Sequence, residues 1–212
     1  MSSPTVYPLT SLPPQLVDSL KESESCRLQN IIGANITSHY ASSTSDLADF
    51  RSAIADKDTK QDTSVLSDFR RLVPLTNYEA YRPWMDKFVE RPCELSEVEN
   101  LFAPGLPSFL GVSSATSSSK PKHFARYVGS DILVRAVEDP LTGKTACLYT
   151  VGYKDSINVT TTSGEVVKRL PVCIVSAGFR RHSEGWSIET DNSRMASMGE
   201  YLFGPIGTVR DW

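Results

Sequence analysis

Apolar residues in the first third of the chain recur at the spacing of an α-helix. Pro13 and Pro14 suit the first turn of a helix, where a missing amide donor costs little, and an apolar stripe follows them at Leu16, Val17 and Leu20. A second stripe predicts a helix with one buried face at Leu28, Ile31, Ile32 and Ile36. Ser45 is predicted to cap a third helix, which carries Leu47, Phe50 and Ile54.

A further helix is predicted within DFRRLVPLTNYEAYRPWMDKF, residues 68–88. Thr76 and Glu79 have the spacing of a capping box, so this helix should begin at Asn77. Pro83 should kink the helix or confine it to a short first turn, because proline lacks an amide donor. We expect the aromatic residues of the segment to pack in the core: Tyr78, Tyr81, Trp84 and Phe88.

After residue 100 the pattern changes from helical stripes to short apolar runs. A proline–glycine turn at 104–105 precedes the buried strand predicted for FLGV, and two more strands are predicted at 145–153 and 169–179, with a turn around Gly164. The sequence therefore predicts an α/β chain, a helical N-terminal region followed by a mixed sheet. We expect one domain over 1–212, in which residues 1–100 are mainly helical, 101–125 form a strand and a phosphate-type loop, and 126–212 form strands and loops.

Composition narrows the classes of partner. A formal net charge of -3 and a pI near 5.7 give no basic field, so neither nucleic acid nor a membrane surface is expected as a partner. The start of the chain lacks a basic stretch followed by an apolar run, which predicts a cytoplasmic location. Scattered histidines without paired ligands predict no metal site. The cysteines lie far apart and are expected to be buried free thiols: Cys26, Cys93, Cys147 and Cys173.

The segment SAGFRRHSEGW, residues 176–186, is locally basic. It places Arg180, Arg181 and His182 side by side. Such a cluster is either an anion-binding patch or a solvated loop, and the sequence alone favours the loop.

Residues 113–122, SSATSSSKPK, directly follow the predicted buried strand. Ligand-binding loops of α/β sheets lie at the carboxyl ends of strands. Backbone amides and hydroxyls of this loop could surround phosphate oxygens, with Lys122 as a compact point charge. The same composition is also typical of a flexible linker or a phosphorylated docking segment, and these interpretations stay open.

Three segments in this order resemble a known family: DFRRLVPLTNYEAYRPWMDKF, LFAPGLPSFLGV and the serine-rich loop. The family is the auxin-responsive acyl acid amido synthetases, the Gretchen Hagen enzymes of the adenylate-forming superfamily, and the flanking segments are most similar to its fungal branch. The resemblance assigns ATP phosphate binding to the residues that match the family's loop: Ser113, Ser114, Thr116, Ser117 and Lys122. Where that loop has glycines, this chain has Ala115, Ser118 and Ser119.

The resemblance implies a ligase reaction. In complete members of the family a carboxylic acid attacks the α-phosphorus of ATP, giving an acyl-adenylate and pyrophosphate, and an amino-acid amine then displaces AMP. ATP and magnesium are the implied cofactors, and a small carboxylic acid and an amino acid are the implied partners. The family's second motif, an aromatic residue followed by small residues and a Ser-Glu pair, is not found after Lys122.

The chain is therefore expected to form an incomplete N-terminal domain of an adenylate-forming enzyme, truncated and inactive alone, with its catalytic residues unassigned. An incomplete domain leaves apolar surface uncovered, so self-association is expected. The alternative is a non-catalytic remnant that acts as a nucleotide-binding or protein-interaction module.

Overall fold

The computed structural model describes residues 12–113, 121–128, 152–191 and 193. Contacts within the chain divide it into two compact units, Met1–Leu75 and Thr76–Trp212. The expectation of one domain over 1–212 stays a prediction. Within the described ranges, no helix is long and apolar enough to cross a bilayer.

The N-terminal unit is helical where it is described. Its elements are α1 (Pro14–Asn35), α2 (His39–Ser43), a 3-10 turn (Ser45–Leu47), α3 (Ala48–Ala53) and α4 (Ser64–Leu72). The first two predicted apolar stripes belong to one helix, α1, because the polar residues between them continue the same helix. The core of this unit is formed by Ile32, Phe50, Ile54, Val65 and Leu66.

Two local predictions for this unit are wrong. Ile31 is 51% exposed, since it lies about 100° around the helix from the buried Ile32. Ser45 is the first residue of the 3-10 turn, not the residue before it, and its side chain caps neither that turn nor α3. The hydroxyl that does cap a helix here is that of Ser38, which accepts a hydrogen bond from the amide of Ala41 at 3.3 Å and begins α2.

The C-terminal unit combines helices with a sheet. Its described elements are α5 (Tyr78–Val89), β1 (Cys93–Glu94), α6 (Leu95–Val98), β2 (Phe109–Val112), β3 (His123–Arg126), β4 (Asp155–Thr160), β5 (Val166–Ile174) and α7 (Val175–Ser183). In the described residues, five strands form one sheet in the order β1-β4-β5-β2-β3. The pairs β1–β4 and β2–β5 are parallel, and β2–β3 and β4–β5 are antiparallel. The predicted α/β class, with a helical N-terminal region and a mixed sheet, is confirmed.

Helix α5 begins and ends differently from the prediction. Asn77, not Thr76, is its cap, and the side-chain oxygen of Asn77 accepts a hydrogen bond from the amide of Glu79 at 3.0 Å. The helix continues through Pro83 for six more residues, to Val89. Burial explains this continuation, because the second half of α5 carries Met85 and Phe88 into the core, and that packing outweighs the hydrogen bond lost at the proline.

Alternate residues of β2 face opposite sides of the sheet, as expected for a strand. Leu110 belongs to the larger core, on the α5 side, with Met85, Phe88, Cys93, Val98, Leu101, Ile157, Val159, Leu170 and Val172. Phe109 belongs to a smaller cluster on the α7 side, with Cys173 and Ala177. Gly178 of α7 approaches the Phe109 ring so closely that a Cβ at this position would lie 2.2 Å from a ring carbon. The sheet is therefore covered by a helix on each face.

The strand predictions are confirmed in part. FLGV forms β2, and Gly164 makes the predicted turn with φ of +84°. The strand predicted for 169–179 ends at Ile174, where α7 begins, and α7 also replaces the solvated loop predicted at 180–182. Residues 145–151 lie outside the described residues. Strand β4 was missed because its apolar positions, Ile157 and Val159, alternate with polar residues over only a short stretch.

The described cysteines differ in exposure. Cys93 and Cys173 are buried free thiols, as predicted, whereas Cys26 is exposed, and Cys147 lies outside the described residues. Burial raises the pKa of Cys173 from 9.0 to about 11, although the nearby Arg181 charge acts in the opposite direction. The thiol of Cys173 therefore keeps its proton to a higher pH in the folded protein than in the unfolded chain.

This shift predicts a pH dependence of stability. The contribution of Cys173 to the free energy of unfolding is fully present below the pKa that its thiol has in the unfolded chain. It is lost as the pH rises towards the pKa of the thiol in the folded protein. From about pH 8 to about pH 10 we expect the free energy of unfolding to fall by about 1 kcal/mol more in the wild type than in Cys173→Ala. Urea titrations of both proteins at both pH values measure the difference. An equal fall in the two proteins would contradict the prediction.

Candidate functional site

The predicted phosphate loop lies at the tip of the hairpin formed by β2 and β3. Val112 and His123 are the last paired residues of the two strands. The pairing continues one step further, because the amide of Ser113 donates to the carbonyl oxygen of Lys122 at 2.9 Å and the amide of Lys122 donates to Ser113 Oγ at 3.0 Å. Two hydrogen bonds therefore close the base of the loop, which begins at the end of a buried strand as predicted.

Lys122 lies beside an aromatic pair formed by Tyr78 and Phe124. Lys122 Nζ is 5.4 Å from the centroid of the Tyr78 ring, and the Phe124 ring meets Tyr78 edge-on with centroids 5.6 Å apart. The Tyr78 hydroxyl accepts a hydrogen bond from the amide of His123 at 3.1 Å. Since Tyr78 is the first residue of α5, this bond ties the start of the helix to the base of the loop.

A cavity of about 500 Å³ opens between the start of α5 and β3. Its walls are mainly apolar and include Tyr78, Tyr81, Met85, Phe102 and Phe124, and Lys122 also lines it. We call this space the hairpin cavity. Its size falls within the range of about 300–1,000 Å³ that is usual for small-molecule sites.

The described lining of the hairpin cavity contains two cations, Lys122 and Arg126. No carboxylate of the described residues lies within ion-pair distance of the Lys122 ammonium group. Arg126 also lines the cavity, but its guanidinium carbon lies 5.9 Å from the ring centroid of Phe179 in α7. The first-turn amides of α5 add partial positive charge at the same end of the cavity. The arrangement suits a ligand that joins an anionic group to a flat ring.

The surroundings of the histidine next to the loop lysine favour its uncharged form. Burial lowers the pKa of His123, the positive charge of Lys154 lowers it further, and Asp86 acts in the opposite direction. A neutral imidazole adds nothing to the attraction of an anion. His123 therefore adds little to the positive charge that Lys122 brings to the base of the loop.

The structure describes two of the predicted phosphate-binding residues, Ser113 and Lys122, and brings them together at the base of the loop. The remaining predicted residues lie outside the described residues, as do the three that replace glycines: Ser114, Thr116, Ser117, Ala115, Ser118 and Ser119.

The chain matches no protein-family model, no curated protein and no solved structure. Its resemblance to the acyl acid amido synthetases therefore rests on the three quoted segments. A function for the chain has to be argued from the hairpin and its cavity.

Sequence reasoning missed the aromatic wall of the hairpin cavity. The sequence predicts core packing for Tyr78 and Tyr81, yet both are partly exposed and line the cavity. The signal available in the sequence was the choice of tyrosine over phenylalanine, since a tyrosine hydroxyl needs a polar partner or solvent. Here the Tyr78 hydroxyl bonds to the chain at His123, and the Tyr81 hydroxyl accepts a hydrogen bond from Thr76 at 3.0 Å.

Proposed function

We propose that the loop between β2 and β3 holds the outer phosphates of ATP, and that the chain corresponds to the phosphate-holding N-terminal part of an acyl acid amido synthetase. Such an enzyme is an ATP-dependent ligase that joins a small carboxylic acid to an amino acid. The observation that carries the proposal is the closure of the serine-rich loop by Ser113 and Lys122 beside the hairpin cavity.

The described residues fit part of this role. Lys122 is a cation that faces an aromatic ring and a cavity, and no carboxylate of the described residues pairs with it, so an anion can approach it without displacing an ion pair. Ser113 sets the position of Lys122 through the two hydrogen bonds at the base of the loop. The roles of these residues are to orient the phosphates and to offset their charge, not to transfer a proton.

Magnesium would reach the site with ATP. The described residues contain no group of three or more histidine, cysteine, aspartate or glutamate side chains placed to hold a metal ion. Magnesium commonly binds through substrate phosphates, water and one or two carboxylates, and it neutralises phosphate charge when bound. The proposal therefore needs no preformed metal site in the described part of the chain.

The proposal includes a cytoplasmic location. The described cysteines, Cys26, Cys93 and Cys173, are free thiols. Free thiols persist in reducing compartments, where disulfides are rare.

Restoring the family's glycines is expected to tighten the binding of magnesium-ATP. Glycine reaches positive φ without strain and lets the backbone approach a phosphate, whereas alanine or serine at such a position costs about 1 kcal/mol or more. The triple variant Ala115→Gly, Ser118→Gly and Ser119→Gly should therefore bind at least about tenfold more tightly than the wild type. Isothermal titration calorimetry with magnesium-ATP measures the change.

Two lysines of the same loop provide a test variant and its matched control. Lys122→Ala in the triple variant should abolish the gain, because it removes the charge that faces the cavity. Lys120→Ala removes an equal charge two residues earlier in the sequence and should leave the gain intact. Equal affinity before and after the glycine changes, or equal effects of the two lysine variants, would show that the loop does not hold phosphate in the proposed way.

The alternative is a non-catalytic module that binds nucleotide or another protein. The replacement of three glycines in the loop favours it, because a side chain in place of a glycine hinders the approach of the backbone to a phosphate. The chain alone is expected to give no ATP-pyrophosphate exchange that depends on an added carboxylic acid, since it is proposed to be only the phosphate-holding part of the enzyme. Robust exchange would contradict that expectation, and it would also exclude the non-catalytic module.

A further inference from the structure

The Tyr78 side chain contacts the base of the β2–β3 loop at two points. Its ring faces the ammonium group of Lys122, with Nζ 5.4 Å from the ring centroid. Its hydroxyl accepts a hydrogen bond from the amide of the next residue, His123, at 3.1 Å. An ammonium group within about 6 Å of a ring centroid is attracted to the face of the ring. One side chain therefore contacts both the charge of Lys122 and the backbone beside it.

The hydrogen bond to the Tyr78 hydroxyl fixes the outer edge of the sheet. Strand β3 is the last strand on its side of the described sheet, so amides on its outer edge have no neighbouring strand there to pair with. The amide of His123 pairs instead with a hydroxyl from the first residue of α5. A half-buried amide without a partner would cost free energy. The start of α5 therefore holds the backbone at the point where β3 leaves the loop.

Lys122 needs a second support because its side chain is flexible. Its ammonium group lies at the end of a four-carbon stem with several rotatable bonds. The two hydrogen bonds with Ser113 fix the backbone of Lys122, but they do not fix the position of its charge. No carboxylate of the described residues is within ion-pair distance of that charge. The contact with the Tyr78 ring is therefore what holds the ammonium group at the base of the loop.

A second cation approaches the same ring, but its charge is balanced. The guanidinium carbon of Arg82 lies 5.8 Å from the centroid of the Tyr78 ring. Arg82 also forms an ion pair with Glu79, in which Nη2 and Oε1 are 2.8 Å apart. Lys122 lines the hairpin cavity, whereas Arg82 is not among its described lining residues. Of the two cations beside the Tyr78 ring, Lys122 is therefore the one that a phosphate can approach.

We infer that Tyr78 is a positioning residue, which holds the ammonium group of Lys122 and the base of the loop in the arrangement that binds the phosphates of ATP. The inference rests on the function proposed for the loop. The apparent affinity of a site falls with the fraction of molecules that have the binding-competent arrangement. Tyr78 raises this fraction, because it restricts Lys122 before the ligand arrives. Its effect on the ligand acts through Lys122.

Two substitutions of Tyr78 separate its two contacts. Tyr78→Phe keeps the ring and removes the hydroxyl, so the binding of magnesium-ATP should weaken about threefold. Tyr78→Leu removes both contacts and should weaken binding about tenfold. Isothermal titration calorimetry with the full chain measures both changes. In a Lys122→Ala background, Tyr78→Leu should have little further effect on the affinity, whereas a merely structural role would lower the affinity in either background.

Two variants close to Tyr78 in the sequence provide matched controls. Trp84→Leu removes another ring of α5 that faces a lysine, since Lys87 Nζ lies 5.6 Å from the centroid of the Trp84 ring. Neither Trp84 nor Lys87 is among the described residues that line the hairpin cavity. Arg82→Gln removes the other cation beside the Tyr78 ring. Both variants should leave the affinity for magnesium-ATP unchanged.

The position of the Lys122 side chain can also be observed without ATP. An aromatic ring shifts the NMR signals of protons that lie close to its face. The ε-methylene signal of Lys122, identified by its loss in Lys122→Ala, should therefore be shifted in the wild type. It should move to the position of an exposed lysine in Tyr78→Leu and stay shifted in Tyr78→Phe. An unshifted signal in the wild type would overturn the inference.

The binding measurements distinguish failure of the inference from failure of the proposed function. If binding depends on Lys122, but Tyr78→Leu weakens it no more than Trp84→Leu does, the inference fails and the function of the loop stands. Tighter binding by Tyr78→Leu also overturns the inference, since the ring would then compete with phosphate for Lys122. Binding that is unaffected by Lys122→Ala overturns the proposed function, and the inference with it.

Discussion

Arg181→Leu is expected to lower the free energy of unfolding by about 3–5 kcal/mol, because it leaves the buried carboxylate of Asp191 without its cation. The guanidinium carbon of Arg181 also lies 5.0 Å from the ring centroid of Tyr153, so the change removes a second contact. Urea denaturation followed by circular dichroism measures the loss. The double variant Arg181→Leu with Asp191→Leu should recover much of it, since no buried charge then remains.

The neighbouring arginine is the control for this prediction. Arg180 forms an ion pair with Glu184, one turn along the helix, but its side chain is 38% exposed. Arg180→Leu should therefore cost less than about 1 kcal/mol, as is usual for exposed pairs. Equal losses from Arg180→Leu and Arg181→Leu would mean that burial of the Arg181–Asp191 pair does not determine its importance.

Gly178→Ala is expected to lower the free energy of unfolding by about 2 kcal/mol or more. The added Cβ would lie 2.2–2.5 Å from three carbons of the Phe109 ring, and this ring is 1% exposed and cannot swing into solvent. Helix α7 would have to move away from the sheet, and the higher helix propensity of alanine would offset only part of the loss. Thermal and urea denaturation measure the change.

A glycine in another helix gives the comparison. In α1, a Cβ at Gly33 would lie 3.2 Å from the flexible side chain of Lys60, which can shift. Gly33→Ala should therefore be neutral or stabilising by up to about 1 kcal/mol. Phe109→Leu combined with Gly178→Ala should be more stable than Gly178→Ala alone if the ring is the obstacle. Similar stabilities of the two glycine variants would contradict the close approach of α7 to β2.

The order of elements was more predictable from the sequence than their ends. Local patterns were enough to predict the helical start, β2 and the turn at Gly164. The helices follow from apolar spacing, β2 from a short apolar run and the turn from a glycine that tolerates positive φ. The end of β5 was not predictable, since Cys173, Ala177 and Phe179 are apolar and a strand or a helix could bury them equally well. The helix is selected because Gly178 allows close packing against Phe109, which lies far away in the sequence.

The candidate site was predictable only for residues that lie close together in the sequence. Ser113 and Lys122 could be placed together because both flank one loop. The contact of Lys122 with Tyr78 joins residues far apart in the sequence, and no periodicity indicates it. The sequence likewise showed a basic cluster at 180–182, but not that α7 buries Arg181 and that Asp191 neutralises it.

The position of β5 in the sheet affects the order in which the protein folds during its synthesis. This strand pairs with β4 on one side and with β2 on the other, so it joins the two halves of the sheet. Strands β1 and β2 are synthesised long before their parallel partners, β4 and β5. Until residues 166–174 have left the ribosome, the apolar residues of β2 have no parallel neighbour, and the nascent hairpin is open to chaperones and to other chains.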